Sequence, residues 1–496
     1  MNIKTGLIRI VLPLVIFVFM VSCNRPKQIA PYEANWDSLA NYNEEPDWFK
    51  DAKFGIYFHW GILCVPEFAH DWYPRMMHFE GSSEWNYHTR TYGSPREFGY
   101  HQLVPLFTAE NFDADTWADL FQKSGARFAG MVAEHHDGFS MWASKINPWN
   151  AMDMGPKRDL VGEMEKAIHG RNMKFVTTFH IARNFQKFQN RPGGESDSSY
   201  FPYIEGLFTT STDSLIRIMY GNIPKEQFCK NWLGKLEEVI DSYRPDLIYF
   251  DGMCDNVPDS CREQFAAYYL NRAAQLGKEV VVTHKHGDLP NSVSLQDMEK
   301  GRMDTLTSFA WLTDETVSTG SWSYTKGLSY KTPEQIVHLL IDIVSKNGCM
   351  MLNISPRPDG TIPQEQIDIL TVIGDWLHQN GEAIYETRPW IAFGEGPTQM
   401  GKGGHFVKDV QYTSQDIRYT TKGNAIYALL LGRPEAGREV MLTSFANKDL
   451  DIQTVALLNS ENTIEWAITE NGLSVQIPNT DLNDLAVVFK IETASK

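Results

Sequence analysis

Five short apolar segments of the sequence end in a histidine or a carboxylate, and these polar ends are the first places to look for chemistry. The segments are residues 54–58 before His59, 128–133 before Glu134 to Asp137, 175–179 before His180, 247–250 before Asp251, and 280–283 before His284. Apolar runs of this length are typical of strands that are buried on both faces of a parallel sheet. In a (β/α)8 barrel the carboxyl ends of the strands form the active site, so we expect these polar residues to gather there.

Asp251 is the strongest single candidate for a catalytic group. It follows the apolar residues 247–250 directly and precedes Gly252. Its carboxylate is therefore expected at the end of a strand, between apolar walls, beside a glycine that lets a ligand approach closely. Aspartates also cap turns for purely local reasons, so the residues alone leave both roles open.

His135, His136 and Asp137 form a second candidate site. Histidine and aspartate are zinc ligands, so a metal-dependent hydrolase is one interpretation. Adjacent residues of a strand project to opposite faces, however, and the segment has neither a His-x-His nor a His-x-x-x-His spacing. Hydrogen bonding to substrate hydroxyls is the favoured interpretation, and we expect neither a metal nor another cofactor.

Aromatic residues are frequent near these polar ends. They are Trp60, Trp72, Tyr73, Trp142, Trp149, Tyr249, Trp311 and Trp322. Any one of them is by default a core residue. A pocket that combines aromatic faces with histidines and carboxylates nevertheless suits a sugar, because the C–H face of a sugar packs on rings while its hydroxyls need donors and acceptors.

Helical patterns alternate with the apolar segments and place the candidate residues in a parallel β/α fold. Asp113 is predicted to cap a helix that ends near Gly125, and further helices are predicted over residues 159–169 and 225–243. Each helix ends just before one of the apolar segments. This order of helix, turn, buried strand and polar end favours a (β/α)8-like barrel.

The end of the barrel is marked by two strong helices and then by a change in pattern. A capping box around Pro333 begins one helix, and a second helix begins at Gln364. After Trp390 the sequence shows short strands between Gly, Asn and Asp turns, predicted over residues 425–431, 440–443, 473–477 and 486–491. That pattern is typical of a β-sandwich. We expect a catalytic barrel over residues 44–390 and a C-terminal antiparallel β-sandwich over residues 391–496.

The amino terminus has the pattern of an export signal. Lys4 and Arg9 precede an apolar stretch, residues 10–21, which is shorter than a transmembrane helix requires. The tetrapeptide that ends at Cys23 resembles the cleavage box of bacterial lipoproteins. We expect residues 1–23 to be a lipoprotein-type signal peptide, residues 24–43 to be a tether, and the mature chain to be a periplasmic or outer-membrane lipoprotein held by a lipid on Cys23. An ordinary signal peptide is the alternative.

Charge and cysteine content narrow the range of partners. The 496-residue chain has a net charge of −17, which argues against a nucleic-acid partner, because phosphate binding needs clustered Lys and Arg. The other cysteines, which fit no zinc spacing, are Cys64, Cys229, Cys254, Cys261 and Cys349. Buried free thiols are the favoured interpretation, and a Cys254–Cys261 disulfide stays open, as does the oligomeric state.

Several sequence blocks together resemble the α-L-fucosidases of glycoside hydrolase family 29. The blocks, which occur in the order found in that family, are Trp48-Phe49, residues 53–61, Asp71-Trp72-Tyr73, residues 135–139, residues 158–163, Phe250-Asp251-Gly252, residues 344–348, residues 352–356 and residues 380–385. They span roughly residues 46–390. The barrel-plus-sandwich layout of that family agrees with the boundary inferred above from the sequence pattern.

The resemblance implies a retaining exo-α-L-fucosidase with two catalytic carboxyl groups. In retaining enzymes these groups lie about 5–5.5 Å apart. Asp251 matches the nucleophile of the family. The acid/base lies in a variable segment, where Glu299 is the favoured candidate and Asp297 and Glu315 are the alternatives.

The resemblance also implies a set of substrate contacts. It places His59, His135 and His136 on the sugar hydroxyls, Asp71 and Trp72 on the first loop, and Trp322 against the apolar side of the sugar. His180, near a position where the family often has tyrosine, and Tyr249 complete the predicted substrate-binding set. Lys285 falls near an arginine contact of some relatives.

The sequence is therefore compatible with three functions. The favoured one is a fucosidase that acts on fucosylated oligosaccharides or glycoconjugates. The second is a metal-dependent hydrolase that uses the His135 and His136 cluster. The third is a catalytically inactive lipoprotein that binds fucosides. The sequence does not indicate the linkage preference.

Overall fold

The computed structural model describes residues 31–187, 199–458, 460 and 463–494. The predicted signal peptide and Cys23 lie outside the described residues. Of the predicted tether, residues 31–43 are described, and they contact the barrel: the Tyr42 hydroxyl donates to the Val280 carbonyl and the Tyr32 amide donates to Asn271. Residues 24–30, the rest of the predicted tether, lie outside the described residues, so a tether there stays a prediction.

Eight parallel strands form a nearly closed barrel. They are β1 Phe54–Phe58, β2 Phe128–Glu134, β3 Lys174–Phe179, β4 Leu247–Phe250, β5 Val281–His284, β6 Leu295–Gln296, β7 Trp311–Thr316 and β8 Gly348–Ile354. The sheet order is β6-β5-β4-β3-β2-β1-β8-β7, and a single parallel bridge between Asp297 and Leu312 connects its two ends. This architecture confirms the predicted (β/α)8-like barrel.

Helices connect and surround the strands. They are α1 Trp36–Leu39, α2 Asp47–Ala52, α3 Tyr73–Met76, α4 Ser83–Thr91, α5 Ala114–Lys123, α6 Leu160–His169, α7 Ser214–Met219, α8 Lys225–Tyr243, α9 Asp259–Gln275, α10 Pro333–Ser345 and α11 Gln364–Asn380. The predicted caps are present, since Asp113 accepts from the Thr116 amide and Asp159 accepts from the Gly162 amide. These side chains satisfy amide groups that a helix start leaves without a partner.

Antiparallel strands form the C-terminal part of the chain. They are β9 Arg388–Glu395, β10 Ile417–Lys422, β11 Ala425–Leu430, β12 Glu439–Leu442, β13 Ile452–Leu457, β14 Trp466–Thr469, β15 Gly472–Gln476 and β16 Val487–Thr493. One sheet has the order β13-β16-β11-β10-β9 and the other the order β12-β15-β14. A shared apolar core that includes Trp390, Tyr419 and Val475 packs between them, so the predicted antiparallel sandwich is confirmed.

The described cysteines are all free. Cys64, Cys229, Cys254 and Cys349 are buried, and Cys261 is partly exposed. The Cys254–Cys261 disulfide that the sequence left open is therefore not formed in this structure. In the described part of the chain, no helix has the length and apolar character needed to span a bilayer.

Candidate active site

A cavity of about 440 Å³ lies at the carboxyl ends of the barrel strands. It brings together eight of the residues predicted from the sequence, namely His59, Asp71, Trp72, His135, His136, Asp251, Glu299 and Trp322. These residues come from six separate places in the sequence. They meet here because parallel strands that start at one end of a barrel also finish at one end.

Asp251 follows strand β4 directly, and its amide donates to the Phe179 carbonyl of β3. One carboxylate oxygen lies 2.6 Å from Lys285 Nζ, and the other lies 3.2 Å from both His136 Nε2 and His180 Nδ1. Burial by itself raises the pKa of Asp251, but the Lys285 ammonium and the contacts with His180 and His136 outweigh it and hold the pKa well below its usual range. The carboxyl group is therefore ionised at neutral pH.

Glu299 is the second carboxyl group in the cavity, and its state differs from that of Asp251. Burial and the negative charges of Asp251 and Asp314 raise the pKa of Glu299 to about 7, against the lowering effect of Lys285. Protonated and ionised forms of Glu299 thus coexist near neutral pH. A buried carboxyl group with such a pKa suits a group that first gives and then takes a proton.

Lys285 contacts both carboxyl groups and limits how far apart they can be. Its Nζ is 2.6 Å from an Asp251 oxygen and 2.9 Å from a Glu299 oxygen. These two oxygens can consequently be no more than 5.5 Å apart, the sum of the two distances. Burial lowers the pKa of a lysine, but Asp251, Asp314 and Glu299 raise the pKa of Lys285 well above its ordinary value, so the ammonium stays charged.

A buried polar cluster beside the cavity supports Lys285. Asp314 on β7 lies 3.5 Å from Lys285 Nζ and accepts hydrogen bonds from the Tyr57 and Tyr249 hydroxyls, each at 3.0 Å. The Asp314 amide donates to Asp297. Burial and the adjacent Asp314 charge raise the pKa of Asp297 well above its ordinary value, which favours the neutral form of Asp297.

Tyr249 is placed differently from the expected sugar contact. It is fully buried and does not line the cavity; its hydroxyl donates to Asp314 instead. The reason is the two-residue period of a strand: Tyr249 and Asp251 point to the same side, but Tyr249 lies one layer deeper in the barrel.

The two alternative acid/base residues do not reach the cavity. Asp297 is completely buried in the cluster described above. Glu315 lies 3.5 Å from Lys331 Nζ and accepts a hydrogen bond from the Thr316 amide. Of the three candidates named from the sequence, Glu299 alone lines the cavity.

His59 is held in one tautomer by Asn353. Both the amide and the Nδ1 of His59 donate to Asn353 Oδ1, at 2.9 and 2.8 Å. The side-chain nitrogen of Asn353, Nδ2, donates in turn to the Trp322 carbonyl. Burial lowers the pKa of His59, so the ring is neutral and its Nε2 is an acceptor for a ligand hydroxyl.

Of the other three predicted histidines, His136 and His180 contact Asp251, and the His135 ring packs against both of them. His136 Nδ1 donates to the His180 carbonyl, and the His136 Nε2 lies 3.2 Å from an Asp251 oxygen. Burial lowers the pKa of His180 to about 4, and burial together with the neighbouring histidines lowers the pKa of His135 far below its usual value. The buried Nδ1 of His135 has no hydrogen-bond partner within the described part of the chain. Such a group is available to a ligand hydroxyl.

Aromatic and acidic side chains form the rest of the wall. The Trp322 ring lies 5.4 Å from the His59 ring, and its amide donates to Asp71. The Arg183 guanidinium stacks over Trp72 at 4.5 Å. This wall combines flat apolar faces with charged acceptors, the combination that a sugar requires.

Within the described part of the chain, two groups of residues have nitrogen or oxygen atoms close enough to hold a metal ion. One is His59, His135 and His180, and the other is His136, His180 and Asp251; within each group the ligand atoms lie within 4.8 Å of one another. The donor set of imidazoles and one carboxylate suits zinc. The same atoms also suit hydroxyl binding.

Two groups of the site, Lys285 and Asp314, have only a weak signal, or none, in the sequence. Lys285 immediately follows one of the five polar strand ends, His284, but a resemblance to an arginine contact was its only signal. Asp314 had none, because the strand Trp311–Thr316 contains four polar residues in six and is not an apolar run. That Asp314 is buried follows only from the assembled barrel, not from the local sequence.

Comparisons with known proteins match α-L-fucosidases along nearly the whole chain. The family model described as "Alpha-L-fucosidase" matches residues 19–382, and the model described as "Alpha-L-fucosidase C-terminal domain" matches residues 410–492. The sequence is 30% identical to human plasma alpha-L-fucosidase over 481 residues, covering 92% of this chain and 90% of the relative. It is 28% identical to human tissue alpha-L-fucosidase over 486 residues, covering 94% and 92%.

A solved structure shows the same architecture. The alpha-fucosidase of Thermotoga maritima in complex with fucose superposes with a TM-score of 0.73 at 27% sequence identity. The superposition covers 92% of this chain and 99% of the other. The similarity therefore includes both the barrel and the C-terminal sheets.

Proposed function

The chain belongs to the α-L-fucosidase family of glycoside hydrolases, and from that premise we propose that it removes terminal α-L-fucosyl residues by a retaining double displacement at Asp251 and Glu299. The observation that carries this mechanism is the shared contact of both carboxyl groups with Lys285, which keeps their nearest oxygens within 5.5 Å. Retaining glycosidases have a separation of about 5–5.5 Å, whereas inverting enzymes need about 6.5–9.5 Å to admit a water molecule.

Asp251 is the nucleophile in this mechanism. A nucleophilic carboxylate must be ionised, and the positive charge of Lys285 and the contacts with His136 and His180 favour that form. In the first step an Asp251 oxygen bonds to the anomeric carbon, and the bond from that carbon to the leaving-group oxygen breaks. A fucosyl ester of Asp251 results, with the anomeric configuration inverted once.

Glu299 is the acid and then the base. It donates its proton to the departing oxygen and later takes a proton from the water that attacks the ester, which inverts the configuration a second time. A pKa of about 7 supports both roles. When Asp251 is esterified its negative charge is gone, so the pKa of Glu299 falls as it becomes the base.

The cavity wall supplies the sugar contacts. We assign hydroxyl binding to Nε2 of His59, to His135 and to Asp71, and the apolar face and methyl group of fucose to Trp322. His136 and His180 hold Asp251 in place. Trp72 lines the entrance beside Arg183.

The pattern of residues 1–23 supports export and a lipid on Cys23 as part of the proposal. Mass spectrometry of the amino-terminal peptide, from protein isolated from the membrane fraction, tests for the lipid on Cys23. A diacylglyceryl group on Cys23 is the expected result, and an unmodified amino terminus elsewhere would contradict it.

The decisive assay is release of 4-nitrophenol from 4-nitrophenyl α-L-fucoside by protein that lacks residues 1–23, with and without EDTA. Turnover that EDTA does not change is expected. Loss of turnover with EDTA, restored by zinc, would establish the metal-dependent hydrolase instead. Proton NMR of the first product should show α-L-fucose, and initial formation of the β-anomer would contradict retention.

The nucleophile is tested by Asp251→Asn, which we expect to lower kcat by a factor of about 10³ or more, because the amide cannot form the ester intermediate. Asp255→Asn is the matched control, since Asp255 is exposed on the same loop. Near-normal turnover of the Asp251 variant would remove Asp251 from this role. An inactive wild type that binds fucose would instead support the binding protein.

A further inference from the structure

A short segment of the C-terminal part, residues 404–407, crosses to the barrel and holds the Glu299 loop. The Phe406 amide donates to the Glu299 carbonyl at 2.8 Å, and the Val407 amide donates to the Lys300 carbonyl at 3.0 Å. The Glu299 amide donates to His405 Nδ1 at 3.0 Å. The segment lies between the two ranges that the family models match, 19–382 and 410–492, so the family match leaves its role unassigned.

Phe406 is exposed at the edge of the catalytic cavity. Its side chain is 63% exposed and lines the cavity together with Glu299, Lys300 and His286. Of the large apolar side chains exposed in the described part of the chain, Phe406 is the one that lines this cavity. Its φ of 53° lies in the left-handed region, which disfavours side chains other than glycine and asparagine. A strained backbone that presents an exposed aromatic ring at an active site points to a role in binding.

The position of Phe406 relative to Glu299 indicates what it binds. The acid/base donates its proton to the glycosidic oxygen, so the group attached to that oxygen must lie beside the acid/base residue. Phe406 is joined through its backbone to Glu299 itself. Trp322, in contrast, packs against His59, on the side assigned to fucose. The two aromatic side chains thus belong to different parts of the substrate.

We propose that Phe406 is the platform of a subsite for the leaving-group sugar, the pyranose to which fucose is attached. The inference rests on the proposed function and adds to it the residue that distinguishes oligosaccharide substrates from small fucosides. The C–H face of the pyranose packs on the exposed ring. His286, whose ring lies 4.6 Å from that of His405 in the same segment as Phe406, is a donor for its hydroxyls. Lys300, whose Nζ lies 4.6 Å from the centre of the Trp322 ring, lies between the two aromatic side chains.

The test compares two substrates that share fucose and differ in the leaving group. One is methyl α-L-fucoside, whose methyl group is too small to cover a ring, and the other is α-L-fucosyl-(1→2)-galactose. Free fucose is measured in both cases. Phe406→Ala is expected to lower kcat/KM for the disaccharide about tenfold, mainly through KM, and to leave that for the methyl glycoside within about twofold. Phe406→Trp is expected to restore the disaccharide value.

Phe309→Ala is the matched control. Phe309 is also an exposed phenylalanine, 44% exposed, and it precedes β7 at the opposite end of the barrel. We expect that variant to treat both substrates like the wild type. Equal losses on both substrates in Phe406→Ala would mean that the substitution displaced the Glu299 loop, and unchanged kinetics on both would mean that no ring stacks there. Either result overturns the proposal.

A binding measurement separates this inference from the proposed reaction. In an Asp251→Asn background, calorimetry is carried out with L-fucose and with the disaccharide. If Phe406→Ala weakens binding of the disaccharide about tenfold and leaves fucose binding unchanged, the subsite stands even where the catalytic assignment fails. Equal affinities for the disaccharide with and without Phe406 would overturn the subsite and leave the catalytic assignment untouched.

Discussion

At the residue scale, one ammonium group contacts two carboxyl groups that the proposed mechanism needs in opposite protonation states. Lys285 contacts both Asp251 and Glu299. Asp251 also contacts two histidines and stays ionised. Among the described residues no histidine forms an ion pair with Glu299, and burial and the charge of Asp251 raise the pKa of Glu299. Two groups that share one neighbour thus differ in pKa because of their other neighbours, which is how acid and nucleophile roles are separated.

Replacing Lys285 by Met should move both limbs of the pH profile to higher pH. The ammonium lowers the pKa of both carboxyl groups, so its loss raises both. In the wild type, kcat/KM is expected to fall as the pH rises through about 7, where Glu299 loses its proton. In Lys285→Met the alkaline limb, which reports the pKa of Glu299, should lie above the wild-type value. The acidic limb should move to higher pH as the pKa of Asp251 rises. Turnover should also decrease, because the nucleophile is less ionised.

The pH dependence of kcat/KM for 4-nitrophenyl α-L-fucoside is the measurement, and Lys285→Arg is the control that keeps the charge. A profile of Lys285→Met that keeps both wild-type limbs would show that the ammonium does not set these pKa values. A profile shifted to lower pH would contradict the sign of the effect.

Replacing Glu299 by Ala should affect substrates according to their leaving groups. A good leaving group such as 4-nitrophenolate departs without a proton, whereas a sugar alcohol does not, and general acid catalysis contributes about 10²–10⁴. We expect Glu299→Ala to spare turnover of the aryl fucoside relative to that of fucosyl-galactose by about two orders of magnitude. Equal losses on both substrates would move the acid role to another residue.

Much of the site could be predicted from the sequence because its residues stand at strand ends. Asp251, His59 and the histidine pair follow apolar runs, and strand alternation and barrel topology then place them together. Lys285 and Asp314 were harder to predict from the sequence. Their positions depend on a buried charge cluster formed by β5 and β7, and a single sequence does not show which polar residues pair inside a barrel.

At the element scale, the accuracy of the prediction follows the apolar content of the strands. Strand β1 and strand β4 are found with their predicted bounds, and β2 and β3 differ by one residue. Strand β7 contains Thr, Asp and Glu and was missed, as was the two-residue β6. Buried polar strands of this kind are stabilised by hydrogen bonds to other strands, which local sequence patterns do not contain.

Helix α10 offers a test of local stabilisation, since its predicted capping box is formed. Thr332 accepts from the Gln335 amide, and Gln335 accepts from the Thr332 amide. Thr332→Ala should lower the free energy of unfolding by about 1 kcal/mol and the urea midpoint accordingly. Thr371→Ala is the control, because the exposed Thr371 hydroxyl bonds only to a carbonyl within its own helix, α11. Equal shifts in the two variants would contradict a capping contribution.

At the scale of the whole molecule, barrel and sandwich are joined by a buried charge cluster. Asp342 on α10 contacts Arg418 on β10 at 2.6 Å and Lys346 at 2.8 Å, and Arg302 lies 3.9 Å away. The Trp376 indole of α11 also donates to the Ala486 carbonyl beside β16. Because three positive groups surround one carboxylate, we expect the contact between barrel and sandwich to depend on the negative charge of Asp342.

Asp342→Asn should therefore destabilise the protein strongly and in a pH-dependent way. Removing one partner of a buried ion pair costs about 3–5 kcal/mol, because Arg418 and Lys346 are then left without their counter-charge. Burial opposes ionisation of Asp342, but Lys346, Arg418 and Arg302 outweigh it and lower its pKa to about 2. A lowered carboxyl pKa stabilises the fold above the pKa of the unfolded chain, about 3.9. That contribution is lost as the pH falls toward about 2.

Calorimetric Tm values of wild type and variant, recorded at one scan rate from pH 7 to pH 2.5, test this dependence. The gap in Tm should be several degrees at pH 7 and should narrow below about pH 4, because only the wild type loses the Asp342 contribution there. Asp375→Asn, an exposed substitution on the neighbouring helix α11, should follow the wild type throughout. A gap that stays constant with pH would show that lost packing, rather than lost charge, weakens the junction, and the absence of any gap would show that barrel and sandwich are held together by their apolar contacts.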